Sequence, residues 1–157
     1  MGKGRDLQRG GDQRGQARIE RLNAALAAVQ AAAFDTATRL FGLSFARIEG
    51  ADLHHPAAQA FAVLKDGAEI GTFVADYFAR PSKRSGAWMS ALTSQERLGN
   101  DHVRPVINNT MNFAEGAEGS PSLLTLDDAR TLFHEFGHAL HGLKSDVKHP
   151  FVSGTSV

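Results

Sequence analysis

A chain of 157 residues with 42% apolar content has room for one domain and enough apolar surface to bury a core. Seventeen basic residues balance seventeen acidic ones, which removes the electrostatic case for nucleic acid or an anionic membrane as main partner. There are no cysteines, which excludes disulfides and thiolate metal sites, and no apolar run approaches the roughly 18–20 residues of a bilayer span.

The first 18 residues are rich in Gly, Arg and Gln and lack the apolar core of a secretory signal, so a cytoplasmic chain is expected. Between Met1 and Arg21, six basic residues (Lys3, Arg5, Arg9, Arg14, Arg18, Arg21) face three acidic ones (Asp6, Asp12, Glu20). Without interleaved aromatics or a repeat, a disordered or unrelated segment over 1–18 is favoured over an RNA-binding tail. From Ile19 to Phe41, Leu22, Leu26, Val29, Ala33, Ala37, Leu40 and Phe41 recur at helical spacing. This predicts a helix, with a break near Phe34-Asp35 and a stop at Gly42.

The stretch Ala60–Phe78, "AFAVLKDGAEIGTFVADYF", predicts a hairpin turning at Asp66-Gly67. Ala79–Trp88 reads as a loop carrying Lys83 and Arg84, Trp88–Leu98 as weakly helical, and Val103–Phe113 as extended. Ala114–Ser122 is a loop. A last helix spans about Leu126 to Leu143, with Thr125 as N-cap, Asp127 and Asp128 at the positive end of its dipole, and Gly142 near its end.

That helix carries "LFHEFGHALHG", with three of the chain's seven histidines. On a helical wheel Ala129, Leu132, Phe133, Phe136, Leu140 and Leu143 share one side, and His134, His138 and His141 share the other. Residues four apart lie one turn apart on one face, so His134 and His138 can converge on a single ion. Zinc is the metal expected for paired imidazoles. Glu135 is offset by about 100° and can flank the ion as a general base without ligating it. Gly137 reads as space near the metal or as plain packing. His141 lies about 10 Å from His134 along the axis, so it is expected to be a bystander. The spacing does not follow the metzincin pattern.

Together, "LLTLDDARTLFHEFGHALHGL" and "VSGTSV" resemble the active-site region of the thimet oligopeptidase and peptidyl-dipeptidase family of zinc metallopeptidases. "AFDTATRLFGLSF", "ADYFARPSKRSGAWM" and "PVINNTMNF" resemble the same family in the same order, so the likeness covers about Phe34 to Val157. "SKRSGAWM" and "SGTSV" are closer to the peptidyl-dipeptidase branch.

The resemblance implies a mainly α fold with a small β-sheet, an α+β portion of a zincin-type catalytic domain. It implies one Zn2+ held by His134 and His138, Glu135 as general base, and short peptides as substrates, with no nucleic acid or membrane partner. It implies that Val106–Phe113 binds the substrate backbone as an added strand. In that family the third zinc ligand is a glutamate on a following helix, and an oxyanion-stabilising tyrosine and histidine lie further on. Residues 19–157 are therefore expected to be a partial catalytic domain, truncated before the third ligand and inactive alone. Full-length relatives are expected to be monomeric, while this chain would be prone to self-association through apolar surface. The competing expectation is a non-catalytic remnant or a peptide-binding or partner-binding module.

Overall fold

A computed structural model describes residues 24–98 and 101–156. The elements in chain order are β1 (Ala24–Ala25), α1 (Leu26–Phe41), β2 (Leu43–Arg47), β3 (Gln59–Lys65) and β4 (Ala68–Phe78). They continue with β5 (Trp88–Thr93), β6 (Glu96–Leu98), β7 (Asp101–Val103), β8 (Val106–Phe113), β9 (Leu123–Leu124) and α2 (Leu126–Leu143), then a 3-10 turn at Pro150–Val152.

Five strands form one mixed sheet in the order β2-β3-β4-β8-β5. Strands β4 and β8 are parallel, pairing Thr72 with Val106 and Asp76 with Thr110, and every other neighbouring pair is antiparallel. The fold is α+β. The expectation of a mainly helical chain with a small sheet is corrected: among the described residues the sheet is the larger part.

Helix α1 buries Leu26, Val29, Ala33 and Ala37, the stripe its spacing predicts, and runs unbroken through Phe34-Asp35. It ends where expected, at Gly42 (φ 69°), whose N–H donates to the Thr38 carbonyl. The predicted start at Ile19 lies outside the described residues, as does the segment 1–18. The hairpin also forms as expected. Asp66 (φ 51°) and Gly67 (φ 79°) both take positive φ, the geometry of a type I′ turn between β3 and β4.

Trp88–Leu98 is not helical but forms β5 and β6. The reason is non-local: β5 pairs along β8 from Trp88–Thr110 to Thr93–Val106, contacts that no local periodicity announces.

Both helices pack on one face of the sheet around a buried cluster that includes Phe73, Ile107, Met111, Leu132 and Leu143. Its centre is aromatic. Phe34 stacks on Phe45 at 4.1 Å, and Phe136 of α2 meets Phe34, Phe45 and Phe73 at 5.4–5.8 Å between ring centroids. Such pairs each add about 0.5–1.5 kcal/mol beyond area burial. Among the described residues, no helix is long and apolar enough to cross a membrane.

Candidate active site

Helix α2 is anchored first at its ends. The Thr125 hydroxyl accepts from the Asp128 N–H at 3.1 Å, and the Asp128 carboxylate accepts from the Thr125 N–H at 2.9 Å, a reciprocal capping box. Leu132, Phe136, Ala139, Gly142 and Leu143 are buried against the sheet. Phe133, expected on the apolar side, is 40% exposed: it sits at the margin of the stripe, and no described element covers it.

Gly142 lies one residue before the end of the helix, as expected. A Cβ there would stand 2.7 Å from Ile107 Cδ1 of β8, and one at Gly154 would stand 3.2 Å from the Gly142 Cα. Gly142 is therefore a close-approach position between the sheet and the segment that follows the helix. That segment is tied back by Gly154 N–H, which donates to Ser145 Oγ at 2.6 Å, and by the buried Gln95, which bonds both backbone groups of Val147. A Cβ built at Gly137 meets nothing within 4 Å among the described residues, so no packing role is visible there.

With the apolar side held down, His134 and His138 project outward and are exposed. Their Nε2 atoms lie 3.1 Å apart and their rings stand at 88° to one another. Two imidazoles at about 2.0–2.1 Å from one tetrahedral ion place their nitrogens about 3.3–3.4 Å apart, so the pair is within a few tenths of an ångström of the separation a shared zinc needs. Glu135, between them in sequence, is half-buried and makes no ion pair among the described residues. His141 is apart from the pair, in a separate cleft with Phe41, Leu140 and Lys144. No group of three or more His, Cys, Asp or Glu side chains that could hold a metal occurs among the described residues.

The assignment of Val106–Phe113 as the strand that receives a peptide is corrected by topology. This segment is β8, hydrogen-bonded to β4 on one side and β5 on the other. The free edge beside it belongs to β5, which also contacts α2.

Sequence reasoning missed a second constellation, on the sheet face turned away from the helices. Buried Asp76 receives both Nη atoms of Arg80 at 2.7 Å, His54 Nε2 at 2.8 Å and Lys83 Nζ at 2.8 Å. Lys83 also donates to the carbonyls of Asp76, Phe78 and Met111, bridging β4 and β8 where their register shifts. Burial alone would raise the Asp76 carboxyl, but the hydrogen bonds from Arg80, His54 and Lys83 outweigh it and hold the group well below the usual carboxylate range. The same Asp76 bond raises Arg80. The four-residue Asp76–Arg80 spacing is visible in sequence, but nothing local marks Asp76 as buried.

Residues 16–157 match Peptidase family M3. The chain belongs to peptidase family M3. It is 40% identical over 129 residues to the dipeptidyl carboxypeptidase of Salmonella typhimurium, covering 82% of this chain and 19% of that protein. It is 41% identical over 124 residues to the dipeptidyl carboxypeptidase of Escherichia coli and 36% identical over 125 residues to its oligopeptidase A. Each of these two matches covers 78% of this chain and 18% of the relative. The chain thus spans less than a fifth of the length of these relatives.

Proposed function

We propose that this chain carries the zinc-binding helix of a peptidase that cleaves short peptides, within a zincin-type catalytic domain. The observation that carries the reading is the 3.1 Å approach of His134 Nε2 to His138 Nε2 on an exposed helix face. These two imidazoles would hold zinc, with a third protein ligand from outside the described residues. When bound, zinc supplies Lewis acidity toward the scissile carbonyl and the attacking water. Glu135 takes the proton from that water and passes it to the leaving amine. The free edge of β5 offers backbone N–H and C=O groups along which an extended peptide adds as a strand beside α2. The family membership and the relatives named dipeptidyl carboxypeptidase support a peptidase of this kind.

Zinc titration of the purified chain in competition with a chromophoric chelator tests the metal part. Binding that drops by about tenfold or more in His138→Ala, yet persists in Glu135→Gln, is the expected result. Zinc affinity equal in the wild type and in a His134→Ala/His138→Ala double variant would overturn the reading. The chain by itself is expected to hydrolyse short peptides slowly or not at all. Zinc-dependent turnover abolished by Glu135→Gln would show that two histidines suffice.

A further inference from the structure

The sheet face opposite the helices holds a cleft of about 440 Å3, lined by His54, Asp76, Arg80, Lys83, Arg84 and Asn108 among others. Strand alternation places it there: Phe73, Ala75, Ile107 and Met111 point into the helix-covered core, while Asp76, Asn108 and Thr110 point away. The cleft is thus separated from His134 and His138 by the sheet, and it plays no part in the chemistry proposed for α2.

Its charge is unbalanced. Arg80, Lys83 and Arg84 bring three permanent cations against the single carboxylate of Asp76. Asp76 is already saturated by Arg80, Lys83 and His54. Arg84 has no carboxylate partner among the described residues. Its guanidinium lies 4.4 Å over the Trp88 ring, which holds it in place with its N–H edges free. The second observation is Asn108. Its side chain is more than nine-tenths buried, its Nδ2 donates to Thr110 Oγ1 at 2.9 Å, and its Oδ1 has no partner. A buried amide oxygen left unpaired is unfavourable, and a donor reaching it from the cleft would relieve that.

We propose that this cleft binds an oxyanion of the carboxylate or phosphate class, with Arg84 as its main charged contact. The volume suits a group as large as a terminal dipeptide unit. A peptide C-terminus matches both features at once, with its carboxylate for the Arg84 fork and its last backbone N–H for Asn108 Oδ1. A free phosphate would satisfy the guanidinium alone.

The test is binding to the purified chain, followed by amide chemical shifts. The probes are an N-acetylated dipeptide with a free carboxylate, the same dipeptide as its C-terminal amide, and inorganic phosphate. The free acid, the phosphate or both should bind saturably. Affinity should fall about tenfold or more in Arg84→Gln and stay unchanged in Lys148→Gln, a basic position outside the cleft. Preference for the free acid assigns the site to peptide termini, and preference for phosphate assigns it to an inorganic oxyanion. Asn108→Ala should weaken the dipeptide but not phosphate if the termini are the ligand. The proposal fails if neither anion saturates, if the amide binds as well as the acid, or if Arg84→Gln binds like the wild type. The Arg84 side chain is exposed and unpaired, and an unchanged thermal midpoint for Arg84→Gln would show that lost binding is not lost folding.

Discussion

Two groups of titratable side chains sit on opposite sides of one sheet and differ in almost every physical respect. His134 and His138 stand exposed on a helix face and, among the described residues, bond only to each other, while Glu135 beside them is half-buried and makes no ion pair. Asp76, Arg80 and Lys83 are tied down by bonds of 2.7–3.0 Å that join strand to strand and strand to loop. Side chains without partners are free to serve a ligand. Side chains whose bonds are all spent inside the protein serve the fold. On the proposed function, α2 carries the reactivity and the Asp76 network the stability, and substitutions can separate the two.

The largest effect is expected at Asp76. Asp76→Ala leaves Arg80 and the nearly buried Lys83 without their counter-ion and should cost about 3–5 kcal/mol in urea unfolding. Because the folded carboxyl titrates below its unfolded value, its stabilising contribution is present above about pH 4 and is lost as pH falls further. The wild type should therefore lose stability on acidification more steeply than Asp76→Ala, and parallel curves would remove the network from the account. Next comes Gly142→Leu, which forces a side chain against Ile107 and should cost about 1–3 kcal/mol.

Smaller effects are expected on the exposed face of the same helix. Gly137→Ala meets open space among the described residues and should stabilise the chain by up to about 1 kcal/mol through helix propensity. His138→Ala should change the unfolding free energy in metal-free buffer by no more than about 0.5 kcal/mol. A large loss there would mean that the histidine face is packed, and the contrast between the two groups would collapse.

What could be read from sequence follows the range of the forces involved. The Thr125 cap, the Asp66-Gly67 turn and the spacing of His134 and His138 depend on residues within one turn of each other, and all appear as expected. The misreadings concern partners distant in sequence. Trp88–Thr93 is a strand because β8 is beside it. Val106–Phe113, expected to receive a peptide strand, lies inside the sheet between β4 and β5, and strand order is decided by the whole sheet. Gly142 lies near the helix end as expected, but its close approach to Ile107 and Gly154 is not visible from within the helix. Asp76 passed unnoticed for the same reason: its burial is created by strands that arrive later in the chain.

The parallel pairing of β4 with β8 has a kinetic consequence. The β3–β4 hairpin closes across a two-residue turn, whereas Thr72 must wait for Val106, with β5, β6 and β7 in the intervening chain. Loop closure of that length is slow compared with hairpin formation. The hairpin should therefore form early and act as the template on which β8 docks, with Lys83 locking the junction afterwards. The β5 edge and the histidine helix packed beside it would then be among the last parts of the molecule to order during folding.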